Sequence, residues 1–83
     1  VISPFLLYNL IRKGVFFMIR KPVISSRISS VGWENDILEV EFKNGAIYRY
    51  FEVTYQEYIS FMNSSSLGSA LSRLDKIHRY SRV

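Results

Sequence analysis

The stretch that most restricts this chain is Ile37 to Val53, ILEVEFKNGAIYRYFEV. Leu38, Val40 and Phe42 alternate with Glu39 and Glu41, the periodicity of a strand with one buried face. Lys43-Asn44-Gly45 follows, and Asn-Gly supplies residues that tolerate positive φ. Ile47 to Phe51 is a return strand rich in β-branched and aromatic side chains. Loop length then decides which side chains face inward. A two-residue loop at Asn44-Gly45 pairs Val40 with Arg49 and puts a guanidinium on the apolar face, which is costly. A three-residue loop with Gly45 left-handed pairs Val40 with Tyr48, Leu38 with Tyr50 and Glu39 with Arg49. A one-residue slip flips every side chain, so the second register is expected. Tyr48 and Tyr50 then lie in or beside the core. Arg49 looks to water opposite a carboxylate, in an outer-face ion pair contributing a few tenths to about 1 kcal/mol.

The hairpin runs into a helix. Thr54 and Glu57 have capping-box spacing, and Val53 and Tyr58 stand where a hydrophobic staple needs them. The spacing predicts a first helix from Tyr55 to about Met62, with Tyr55, Tyr58, Ile59 and Met62 as its packing face. Asn63 and Ser64-Ser65-Ser66 stop it, and Ser66 is the expected cap of a second helix from Leu67 to about His78. Leu67, Leu71, Leu74 and His78 line one side of that helix, widened by Ala70 and Ile77. Upstream, Pro22 to Ser26 is expected to be extended, and Ile28 to Trp33 is a candidate first strand whose Gly32 permits close approach of another backbone. The fold expected is α+β: a three- to four-stranded antiparallel β-meander packed against two C-terminal helices.

At 83 residues the chain supports one small domain, and 48% hydrophobic with 16% aromatic content argues against disorder. It has no cysteine and one histidine, His78. Disulfides and cysteine zinc sites are therefore excluded, and no carboxylate cluster is spaced to complete a metal site around His78. No cofactor is expected, and a cytoplasmic location is compatible with this composition. The formal charge of +4 is unevenly spread. Residues 1–21 carry Arg12, Lys13, Arg20 and Lys21 without an acid, residues 22–63 are net acidic, and residues 64–83 carry Arg73, Lys76, Arg79 and Arg82 against Asp75 alone.

Residues 1–21 form an apolar and basic extension preceding a domain over 22–83. The uncharged run ends at Arg12, too short to span a bilayer, and its positive charge follows the apolar run where a secretory signal would precede it. Three readings of residues 1–17 stand in descending order: an upstream read-through that is not native, a short element packed on the domain, and a segment lying on a membrane surface. No membrane partner is expected.

The order of features resembles the KTSC domain, a module found at the C-terminus of some lysyl-tRNA synthetases and as stand-alone proteins of bacteria and phages. The residues that carry the resemblance are Ser25-Ser26, Val31-Gly32-Trp33, the Leu38-Val40-Phe42 strand, Gly45, Tyr48-Arg49-Tyr50, Val53, Ser66-Leu67-Gly68, and Tyr80 with Arg82. Trp33 stands where tyrosine is usual and Thr54 where proline is common, and Ala70-Leu71 replaces an aromatic pair. The resemblance implies the fold but carries no established activity. RNA binding is suggested through the synthetase context by analogy alone.

Three functions follow. The first is a small non-catalytic module that binds RNA or another phosphate-bearing ligand such as a nucleotide, through Arg49, Arg73, Lys76, Arg79 and Tyr80. Against it, basic residues on a helix are more often simply solvated, and Tyr48 and Tyr50 belong to the core. The second is a protein-interaction or self-assembling module, using an exposed strand edge or the apolar N-terminal arm, as a phage inhibitor of a host complex or nucleotide signal would. The third, an enzyme, ranks last. The serines lack a nucleophile-elbow context and read as caps and turns, and the carboxylates are not paired across a cleft.

Overall fold

The computed structural model describes residues 18–83, so the readings of residues 1–17 lie outside the described residues. A single antiparallel sheet contains β1 (Lys21–Pro22), β2 (Ile28–Glu34), β3 (Ile37–Phe42), β4 (Ile47–Tyr50) and β5 (Tyr80–Arg82), in that spatial order. Helices α1 (Tyr55–Met62) and α2 (Leu67–Ile77) lie between β4 and β5 in the chain. The α+β class and the central meander are as expected. The sheet gains two short edge strands that the periodicity did not reveal, since two or three residues are too few to show alternation.

The hairpin has the three-residue loop. Gly45 takes φ +90°, its N–H donates to Phe42 at 2.9 Å, and Phe42 N–H donates to Ala46 at 2.8 Å. Val40 pairs with Tyr48, Glu39 with Arg49 and Leu38 with Tyr50. Between β2 and β3, Asn35 and Asp36 both adopt positive φ, as a two-residue hairpin turn requires.

The core lies between one sheet face and the two helices. Ile28, Val31, Leu38, Val40, Tyr50 and Val53 meet Phe61, Ala70, Leu71 and Leu74 there. The capping box is complete: Thr54 Oγ1 accepts from Glu57 N–H at 3.1 Å, and Glu57 Oε1 accepts from Thr54 N–H at 3.0 Å. Ser66 caps α2, its Oγ accepting from Ser69 N–H at 3.3 Å. The packing face of α1 differs from expectation. Tyr55 and Ile59 are exposed, while Phe61 is buried with Tyr58 and Met62 beside it. Apolar residues at 55, 58, 59, 61 and 62 allow two overlapping stripes on so short a helix. The Trp33 ring, stacked on Tyr58 and edge-on to Tyr55, keeps those rings at the rim of the sheet. Ile77 is likewise exposed rather than part of the α2 face.

His78 closes α2. Its Nε2 lies 2.7 Å from Glu57 Oε2 and its Nδ1 lies 2.9 Å from the Phe51 carbonyl, so it ties the end of one helix to the start of the other. The Thr54 backbone N–H, first, and the His78 ring hold Glu57 below its usual 4.5 despite an opposing cost of burial. A carboxylate with a depressed folded pKa contributes stability above its unfolded pKa and loses it as pH falls through the folded value. Chemical denaturation below about pH 4.5 is therefore expected to show a decline in stability that Glu57→Gln flattens. Identical profiles for the two proteins would remove Glu57 from the acid response.

Candidate functional site

The two sheet faces carry different chemistry. On the face away from the helices, Glu39 is only 2% exposed. Its Oε1 accepts from Arg49 Nε at 2.7 Å, and its Oε2 pairs with Arg20 Nη1. Arg20 Nε also donates to Ser30 Oγ at 3.0 Å, and Ser30 Oγ donates to Glu41 Oε1 at 2.8 Å. The register that sets Arg49 opposite Glu39 is the expected one, but the solvent-facing ion pair is corrected. The Arg49 side chain is 20% exposed, and the carboxylate between the guanidiniums is buried. Residues 18–20 pass over this face where Gly32 has no side chain: a Cβ at Gly32 would lie 2.6 Å from the Ile19 carbonyl oxygen and 3.0 Å from Met18 Sδ. Arg49 thus takes part in a largely covered ion-pair network within the sheet. Arg20 went unnoticed in the sequence because nothing near it marks a partner at Glu39.

The other predicted binding residues occupy α2 and the edge that follows. Arg73 and Lys76 are exposed on α2 and make no hydrogen bond or ion pair among the described residues. Arg79 approaches Glu52 at 3.9 Å, with both side chains more than four-fifths exposed. A contact of that kind contributes little. Tyr80, 49% exposed, sits at the start of β5 with its ring 5.2 Å from Tyr50 and 5.8 Å from Tyr48. Arg73 lines a hollow between α1 and α2 with Glu57 and Phe61, Tyr80 lines a separate one with Asp75 and Arg82, and Arg49 lies within the sheet.

The hollow that Tyr80 lines is open, about 330 Å³ in volume, and also lined by Phe42, Tyr48, Tyr50, Asp75 and Arg82 among others. Tyr50 Oη donates to Asp75 Oδ1 at 2.7 Å. Burial, first, and the accepting Asp75 carboxylate raise Tyr50 far above the ordinary phenol value, so it stays a hydrogen-bond donor. Strand pairing sets Arg82 opposite Tyr48.

A second, larger groove of about 660 Å³ runs between the β1–β2 connection and the start of α2. It brings together Ser25-Ser26 and Ser66-Leu67-Gly68, which are 40 positions apart in the chain. Arg27 joins its two walls, donating from Nη1 to the Gly68 carbonyl at 3.2 Å and to Ser72 Oγ at 3.4 Å. Ser25 Oγ accepts from the backbone N–H groups of Arg27 and Ile28, which accounts for it as a turn former. Arg27 was not singled out from the sequence. The only hint was its position as a lone base directly after the serine pair.

Among the described residues no group of three or more His, Asp or Glu side chains could hold a metal ion, and no helix is long and apolar enough to cross a membrane. Both ring nitrogens of His78 are engaged in the interhelical tie.

The KTSC domain family model matches residues 24–80. An uncharacterised protein of Stutzerimonas stutzeri strain A1501 is 37% identical over 65 residues, covering 76% of this chain and 92% of that protein. The crystal structure of a KTSC domain protein from Yersinia pestis superposes with a TM-score of 0.71 at 32% identity, covering 81% of this chain and 99% of that one.

Proposed function

The chain belongs to the KTSC domain family, and from that premise we propose that it is a small, non-catalytic, cytoplasmic module that binds RNA or another phosphate-bearing ligand through its C-terminal helix and edge strand. One observation carries this reading: Arg73 and Lys76 on α2, with Arg82 on β5, are exposed and have no acidic partner among the described residues. Arg79 next to them has only the 3.9 Å contact to Glu52. Phosphate groups supply the charge these cations lack, and the half-exposed Tyr80 ring offers a face on which an unpaired base can stack. The net acidic middle of the chain disfavours a backbone lying across the central hairpin, which favours the C-terminal end.

The test is a titration of single-stranded RNA at several salt concentrations. Affinity is expected to fall steeply with salt, by about 0.7 log unit per phosphate contact for each log unit of salt. Arg73→Ala with Lys76→Ala is expected to reduce that slope by the equivalent of one or two contacts. RNA affinity that is indifferent to salt, or no measurable binding of either RNA or a nucleotide, would contradict the reading.

A protein-binding role is the second reading. It is favoured by the surface cluster of Trp33, Tyr55 and Tyr58 with the exposed Ile59 beside it. Light scattering after size exclusion distinguishes self-assembly from a monomer.

A further inference from the structure

The hollow between β4, β5 and α2 has a composition that the exposed bases alone do not explain. We infer that it is a base-binding pocket selective for guanine, either in a free guanine nucleotide or in an unpaired guanosine of RNA. The inference deepens the phosphate-ligand reading and rests on it.

Three features carry the inference. The first is aromatic. Phe42 and Tyr48 meet edge to face with centroids 5.6 Å apart, and Tyr80 lies 5.8 Å from Tyr48 with its ring half exposed at the rim. A planar heterocycle can lie against such a wall, as unpaired bases do on protein aromatics. The volume of about 330 Å³ suits a small planar ligand rather than a strand or helix.

The second feature is the Asp75 carboxylate. One oxygen accepts the Tyr50 hydroxyl at 2.7 Å, and the other has no partner among the described residues. The buried Tyr50 phenol therefore orients the carboxylate as well as bonding to it. A carboxylate presents only acceptors. Guanine is the common base with two adjacent donors, the ring N1–H and the exocyclic N2 amino group, on its pairing edge. Uracil presents one N–H between two carbonyl oxygens that a carboxylate repels. Adenine and cytosine each present one amino group next to a ring nitrogen acceptor.

The third feature is Arg82. It lines the same hollow opposite Tyr48 and makes no ion pair among the described residues. A guanidinium there can pair with the phosphate of a nucleotide whose base meets Asp75.

The experiment titrates the four nucleoside 5′-monophosphates, and single-stranded oligonucleotides with and without guanosine, into the protein by calorimetry. A carboxylate reading two donors discriminates between bases by about 1–3 kcal/mol, so GMP is expected to bind about five- to 150-fold more tightly than the other three. Asp75→Asn keeps an oxygen acceptor for Tyr50 and turns an amide donor toward the hollow. It is expected to abolish the guanine preference with the fold intact by circular dichroism. Tyr80→Leu, at a half-exposed position, is expected to weaken all four monophosphates alike. RNA that binds with no guanine preference, or a preference that survives Asp75→Asn, would overturn the pocket and leave the phosphate-ligand reading standing. GMP binding without RNA binding would uphold the pocket for a free nucleotide. Failure of both RNA and GMP to bind would sink both.

Discussion

Glu39→Ala is expected to destabilise the protein by about 2–4 kcal/mol, lowering the thermal midpoint by roughly 10–25 °C. A domain of 83 residues has about 4–12 kcal/mol in total, so the loss is a large share. The reason is the position of the carboxylate. At 2% exposure it lies between the guanidiniums of Arg20 and Arg49, themselves only about one-fifth exposed. Removing the anion leaves two like charges facing each other in a site from which water is largely excluded. A solvent-exposed cross-strand pair would contribute under about 1 kcal/mol, so the magnitude itself decides between a buried triad and a surface contact. Glu39→Gln is expected to fall between wild type and Glu39→Ala, since the amide keeps an acceptor and loses the charge. Glu39→Leu combined with Arg49→Leu is expected to recover part of the loss, because Arg20 alone can turn its head to water. Urea titrations of the four proteins would check this. A Glu39→Ala loss below 1 kcal/mol would refute the account of this face.

Gly32→Ala is expected to cost about 1–3 kcal/mol, the usual range for forcing atoms into filled space. The new Cβ would meet the Ile19 carbonyl oxygen at 2.6 Å. That atom belongs to the backbone and cannot rotate away, so residues 18–20 must lift from the sheet. The added effect is loss of the Arg20 contacts to Ser30 and Glu39. Limited trypsin digestion is the direct readout: the Arg20–Lys21 bond is expected to be cut several-fold faster in Gly32→Ala, with β2 to α2 still protected. Equal cleavage rates would show that residues 18–20 do not depend on the close approach.

These two substitutions mark where sequence reasoning ran out. The hairpin register was legible because the alternatives differ in one costly respect, the face on which Arg49 sits. The caps at Thr54 and Ser66 were legible because capping is a local matter of three or four residues. The burial of Glu39 was not, since its cover comes from Met18 to Arg20, a segment with no periodicity that places it on the sheet. Gly32 signalled a close approach without naming what approaches. The rotation of α1 was ambiguous because five apolar residues among eight fit more than one stripe.

The candidate site divides along the same line. Arg73, Lys76, Arg79 and Tyr80 could be grouped from the sequence because they fall within eight positions. The Tyr50–Asp75 bond joins residues 25 apart, and the meeting of Ser25-Ser26 with Ser66-Leu67-Gly68 joins segments further apart still. Neither has a local signature. The pairing of Arg49 with Glu39 is legible from the register, whereas the burial of that pair has no signal in the hairpin itself.

The central functional claim is that ligand meets the C-terminal helix and edge strand. Its most direct test is the mapping of amide chemical-shift changes in the ¹⁵N-labelled full chain during titration with a short single-stranded RNA at low salt. The account predicts changes concentrated at Arg73 to Arg82 and at Tyr48 and Tyr50 beneath them. Changes confined to the Trp33–Tyr55 surface, or spread evenly over the molecule, would contradict it.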